Sequence, residues 1–162
     1  MSGAVRVAPA DLADPSHADA VRRLVDAYAR DPMGGGEPLP ERVLAELVPR
    51  LRAHPTTRIW LAWDGDAAVG AAVGFLGFTT FEARPLLNVH DLVVDASHRR
   101  RGVGRALLEA VAAGARELGC CRVTLEVRED NAPARALYDD FGLRGERLGG
   151  EERAMFFLSK PI

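Results

Sequence analysis

The chain has 162 residues, 48% of them hydrophobic, and a formal net charge of −2. That length and apolar content suit one domain with a real core, so residues 1–162 are read as a single domain. The composition excludes nucleic-acid binding through overall charge, no apolar run is long enough to span a bilayer, and residues 1–20 lack the charged-then-apolar pattern of a secretory leader.

Two helical patterns come first. Residues 17–30, "HADAVRRLVDAYAR", place Val21, Leu24, Val25 and Tyr28 on one stripe. Residues 40–53 place Val43, Leu44, Leu47 and Leu51 on another, with Pro49 expected to kink or break the helix. Between them "DPMGGGEPLP" (31–40) forbids regular structure and reads as a connector or as a mobile loop over a substrate. Strands follow at 58–63 and 67–78, joined by a "DGD" hairpin turn, and the second is apolar on both faces, as a central strand should be. "LLNVHDLVV" (86–94) is a third strand. The helix at 102–119 places Val103, Leu107, Ala110, Val111, Gly114 and Leu118 on one face. Adjacent Cys120 and Cys121 make a poor disulfide framework and read as reduced thiols, which favours the cytoplasm. With four histidines they show no metal-ligand spacing, so no metal is expected. "CRVTLEVRE" then alternates Val123, Leu125 and Val127 against Arg122, Thr124 and Glu126. A short helix starts near Asn131, carries Pro133 in its first turn and ends at Gly142; "AMFFLSKPI" closes as a strand. The order predicts an α/β domain, a mixed sheet with helices on both faces.

The stretch "SHRRRGVGRALLEA" (97–110) joins a strand to a helix through a basic, glycine-containing turn. Open N–H groups and the helix dipole make such a helix start a seat for anions. Gly102 and Gly104, on either side of Val103, admit a phosphate to the backbone, and Arg99, Arg100, Arg101 and Arg105 can neutralise a pyrophosphate. The alternative is a solvated turn. Neither the Walker nor the dinucleotide fingerprint is complete here.

"HDLVVDASHRRRGVGRALLEAV" resembles the acetyl-CoA motif of the GCN5-related N-acetyltransferase superfamily, with Arg99, Gly102 and Gly104 in its fixed positions. "EVREDNAPARALYDDFGL" is similar to the family's second signature, filled by Asn131, Tyr138 and Gly142. The resemblance runs from about residue 67 to 158. "FTTFEARPLLNVHDLVV" more loosely resembles the polyamine and thialysine acetyltransferase branch, whose members carry Glu where this chain has His90 and usually Gly where it has Arg100.

The resemblance implies a single-domain fold with a bulged acetyl-CoA strand, acetyl-CoA as cosubstrate, and direct transfer to a primary amine of a small acceptor. It places pantetheine contacts at Leu92, Val93 and Val94, with Asn131 bonding the same arm. It makes Tyr138 the acid that protonates the coenzyme A sulfur, where the helix alone would suggest a core aromatic. His90 is the candidate base or a structural histidine, sharing strand parity with Asn88 and Leu92 if no bulge intervenes; Asp91 is then a structural partner on the opposite face. Cys120 and Cys121 are rejected as nucleophiles for want of a partner base. Asp31, Glu37, Glu82, Glu151 and Glu152 are acids able to attract a cationic amine. Relatives often pair as dimers through the late strands, so "AMFFLSKPI" is either the seam of a homodimer or an interior strand; nucleic acid and membrane are not expected partners. A non-catalytic acetyl-CoA sensor and a protein or peptide N-acetyltransferase are the alternatives.

Overall fold

The structure, a computed structural model, describes residues 5–149 and 154–162. A short strand β1 (Arg6–Pro9) precedes helices α1 (Pro15–Arg30) and α2 (Glu41–Ala53). The hairpin β2 (Thr57–Asp64) and β3 (Ala67–Thr79) leads to β4 (Arg84–Val94), a 3-10 turn (Ala96–His98) and α3 (Val103–Glu117). Then come β5 (Arg122–Arg128), α4 (Ala132–Phe141), β6 (Arg144–Leu148) and β7 (Met155–Pro161). The strands form one sheet in the order β1-β2-β3-β4-β5-β7-β6. Only the β4–β5 pair is parallel among the described residues; every other neighbour is antiparallel.

Strand alternation builds a core on each side of the sheet. Ile59, Leu61 and Trp63 of β2 face α1 with its Val21 and Leu24. Trp60 and Ala62 face the opposite way, towards Leu107, Leu108 and Val111 of α3. β2 and β3 are therefore buried on both faces, which is why β3 reads as a nearly unbroken apolar run. α1 opens on Asp14, whose carboxylate accepts from the Ser16 N–H at 2.8 Å, with Pro15 in the first turn. α4 opens on Asn131, whose side chain accepts from the Ala134 N–H at 3.3 Å, and closes on Gly142 at φ 89°.

The structure departs from expectation in four places. α2 runs unbroken through Pro49. Proline there removes an N–H and strands the Ala45 carbonyl, but both residues are exposed, where solvent is free to reach it. In α2, Val48 is the buried residue, not Val43, Leu44, Leu47 or Leu51. Thr124, expected on a polar face, is buried, with its hydroxyl accepting from the Asn88 amide at 3.1 Å. β1 and β6 were not expected: one has four residues, and the other, "RGERL", is exposed throughout and shows no alternation.

Candidate active site

The site begins with a register shift. β3 pairs Val73 with Asp91 but Gly74 with Val89, so His90 is an extra residue on β4. On the other edge, parallel pairing with β5 runs through Leu87–Val123 and Asn88–Thr124 to Val89–Leu125 and stops. Beyond that rung β4 leaves β5, and a cleft of about 730 Å³ opens between them. The strand thus carries the bulge that the resemblance implies. Parity does not carry through His90, which stands out exposed.

Backbone direction in the gap follows from alternation. The Asp95 N–H donates to the Val69 carbonyl at 2.9 Å, and the Val93 carbonyl lies 3.0 Å from where Gly70 would carry a Cβ. Val93 therefore turns its backbone groups to β3. Leu92 and Val94 turn theirs the other way, into the gap. The three expected pantetheine contacts accordingly divide, two facing the gap and one spent on the sheet.

At the end of β4 the chain makes the basic turn. Arg100 sits at φ 64° and Gly102 at φ 80°, both left-handed. Gly102 adopts that shape freely; Arg100 does so under strain. Val103 is buried and anchors the start of α3. Gly104 serves packing: a Cβ there would stand 2.9 Å from Leu137 of α4. No side chain caps α3. Arg100 and Arg101 are exposed beside its first turn, and Arg105 pairs with Glu109 at 3.1 Å. Ser97 and His98 are tied to each other at 2.9 Å, and His98 to Asp64 at 3.2 Å, which fixes the turn against the β2–β3 hairpin.

Arg99 does something the sequence did not suggest. Its Nε donates to the Val94 carbonyl at 3.2 Å and its Nη2 to Asp31 at 2.9 Å. Asp31 organises the 31–40 loop. Its carbonyl accepts from the N–H groups of Gly34, Gly35 and Gly36 at 2.8, 3.1 and 3.1 Å, and its carboxylate from the Met33 N–H at 2.9 Å. That last bond, with Arg99 behind it, holds the Asp31 carboxyl below the usual carboxylate range. On the far rim Arg128 donates to the Pro32 carbonyl at 3.3 Å. The loop is therefore a compact wall, with Met33, Gly34 and Gly35 lining the cleft.

Tyr138 reaches the cleft from α4 while only 7% exposed. Burial, and then Tyr28 nearby, push its phenol well above the ordinary range. Asn131 spends its oxygen on the helix cap and keeps its NH₂ for the cleft it lines. His90 lines the same cleft; its Nδ1 lies 3.4 Å from Asp91, brought alongside rather than opposite by the bulge, and its ring meets Phe75 edge-on.

Sequence reasoning passed over two residues of this cleft. Tyr28, assigned to a core stripe, is a half-buried wall whose phenol is pushed up by burial and by Asp91 and Asp31. Glu126, taken as the solvated side of a strand, lines the cleft with Oε2 3.4 Å from the Asn88 amide. The signal available for Tyr28 was its place in the last turn before a triple glycine. For Glu126 it was its place five residues before Asn131. Of the expected acids, Asp31 is bound to Arg99, Glu82 pairs with Arg122, Glu37 is exposed, and Glu151 and Glu152 lie outside the described residues. Both cysteines are buried and away from this cleft. Among the described residues no cluster suits a metal and no helix is long and apolar enough to cross a membrane.

A gap edged by the backbone groups of Leu92 and the N–H of Val94, ending in a left-handed basic turn at an open helix start, fits an extended amide-bearing chain that terminates in a pyrophosphate. Comparison with known proteins agrees. The model of the acetyltransferase (GNAT) family matches residues 21–143. Mycothiol acetyltransferase of Clavibacter sepedonicus is 39% identical over 127 residues, covering 66% of this chain and 38% of that protein. Streptothricin acetyltransferase of Streptomyces lavendulae is 36% identical over 90 residues, covering 56% of this chain and 45% of that protein. The chain thus spans less than half the length of either relative. An acetyltransferase structure from Thermus thermophilus superposes with a TM-score of 0.76 at 24% identity, over 100% of both chains.

Proposed function

Since the chain belongs to the GNAT acetyltransferase family, we propose that it transfers an acetyl group from acetyl-CoA directly to a primary amine of a small molecule. One observation carries the reading: β4 parts from β5 at the Val89–Leu125 rung, and the cleft that opens there is lined by Tyr138. The names of the two relatives support a small-molecule acceptor.

Acetyl-CoA supplies a thioester as the acetyl donor. The backbone groups of Leu92 and the N–H of Val94 face its pantetheine arm, and the Leu92 N–H polarises the thioester carbonyl. Arg100, Arg101 and the N–H groups at Gly102 to Gly104 hold the pyrophosphate. The acceptor arrives as an ammonium and must lose a proton before its lone pair can attack. His90 takes that proton, with Asp91 at Nδ1 leaving Nε2 to accept it; Glu126 flanks the same space and attracts the cation. As the new C–N bond forms and the C–S bond breaks, the sulfur takes a proton from Tyr138. Burial keeps that phenol protonated, and the same dry surroundings raise the basicity of the departing thiolate.

The test is Tyr138→Phe. Its hydroxyl has no hydrogen-bond partner among the described residues, so the fold should tolerate the change. Turnover should fall by about 10²-fold or more, with acetyl-CoA affinity retained. Unchanged turnover would remove Tyr138 from the chemistry.

A further inference from the structure

The apolar stripe of α2 is only partly used by the core. Val48 is buried, but Val43, Leu47 and Leu51 line an open groove of about 540 Å³ with His54 and Phe75. That volume is in the range of small-molecule sites. The charged residues sit at its rim, where the one carboxylate, Glu46, is shared by two guanidinium groups, 2.6 Å from Arg50 and 3.5 Å from Arg42, and none is left to receive a second ammonium. The floor therefore calls for an apolar occupant.

The groove adjoins the active site. Phe75 walls the groove, and its ring meets the His90 imidazole edge-on, with 5.9 Å between centroids. On its other side Phe75 meets His54 at 5.4 Å. His90 is in turn a wall of the acetyl-transfer cleft. The Phe75–His90 contact is thus the divide between the two cavities, and a molecule with its amine at His90 needs only to cross that divide to reach the groove.

We propose that this groove is a binding site for the apolar part of the acceptor, and that the acceptor class is a primary amine carrying an alkyl or aryl extension rather than a second ammonium. The proposal rests on reading the neighbouring cleft as the site of acetyl transfer. A polyamine tail would set a charge on Val43, Leu47 and Leu51, where the nearest carboxylate, Glu46, is held by two arginines. An alkyl chain gains the burial of each methylene instead.

The test uses a series of straight-chain alkylamines from ethylamine to octylamine, beside diamines of matching length, with acetyl-CoA. Expected is a rise in kcat/KM of roughly fourfold per added methylene over the first few, cancelled by a terminal ammonium. Leu47→Glu places a charge on the groove at a partly exposed position. It should cut kcat/KM for octylamine by about tenfold or more, with ethylamine and the melting temperature little changed; Val43→Gln should act likewise. A flat dependence on chain length, or equal losses for ethylamine and octylamine, overturns the proposal. Failure to acetylate any amine while acetyl-CoA binds counts against the acetyl-transfer reading. Calorimetric binding of octylammonium then decides the groove by itself: binding lost in Leu47→Glu supports it, and no binding overturns it. Self-association abolished by Leu47→Glu would assign the groove to a second copy of the chain and also overturn it.

Discussion

Gly34→Ala tests whether the 31–40 loop, a wall of the cleft, positions the acceptor rather than the cofactor. A methyl group at Gly34 would stand 2.0 Å from the Tyr28 carbonyl oxygen and 2.8 Å from its carbon. Ordinary contact begins at 3.4 Å, so the loop must retreat by the difference, about 1.4 Å, from backbone that cannot turn aside as a side chain would. Retreat on that scale loosens the three N–H bonds collected by the Asp31 carbonyl. Overpacking of this kind costs about 1–3 kcal/mol, which lowers Tm by roughly 2–12 °C for a chain of this size. The kinetic effect should be larger, because a displacement of about 1 Å in a positioning wall can cost ~10²-fold. Initial rates against amine concentration should therefore show kcat/KM for the acceptor down by about that factor. Calorimetry should show acetyl-CoA affinity nearly unchanged, since Leu92, Val94 and the turn at Gly102 are untouched. An unaltered kcat/KM for the amine, with Tm lowered, would refute the assignment of residues 31–36 as the acceptor wall. A matched loss of acetyl-CoA affinity would refute the separation of the two seats.

Asp31→Asn keeps an oxygen for the Met33 N–H and removes the charge facing Arg99, so acetyl-CoA should bind about two- to fivefold tighter at low salt, as expected of one exposed ion pair released; unchanged affinity by calorimetry would mean that Arg99 does not reach the pyrophosphate. Arg100→Gly should raise stability by about 0.5–1 kcal/mol by relieving φ 64°, while weakening acetyl-CoA more than the corresponding pantetheine thioester. Denaturant titration checks the first part, and a loss of stability would contradict it. The raised pKa of Tyr138 has a defined sign: its contribution is complete below the unfolded value of about 10 and is lost as pH rises from there towards the folded value. Stability measured against alkaline pH should therefore fall less steeply in Tyr138→Phe, and an identical slope would show that the phenol is not shielded in the folded protein.

What the sequence disclosed follows the strength of local physics. β3 and α3 were legible because burial on both faces of a strand, or on one stripe of a helix, leaves a periodic apolar record. The basic turn and α4 were legible because Gly102, Asn131 and Gly142 each meet a specific backbone demand: a left-handed φ, a helix cap, a helix end. β6 was not, since an exposed edge strand needs no apolar alternation. Tyr28 and Glu126 were missed for a related reason. Each belongs to an element whose period explains it well enough as core or solvent, and only the parting of β4 from β5 turns both into cleft walls. The tie between Arg99 and Asp31 joins residues far apart in the chain, with no local pattern to announce it. The apolar stripe of α2 is periodic in the sequence, but periodicity does not say whether core or ligand covers it, and the residue the helix buries, Val48, lies outside that stripe.

The most direct measurement is amine-dependent release of coenzyme A from acetyl-CoA, in mildly alkaline buffer, across alkylamines, polyamines, lysine analogues, aminoglycosides, amino acids and short peptides. Release that depends on one class of small primary amine, with the acetylated amine recovered in equal amount, is the predicted result. No release above background with any amine, while acetyl-CoA binds, would contradict acetyl transfer and leave a protein that only holds the cofactor.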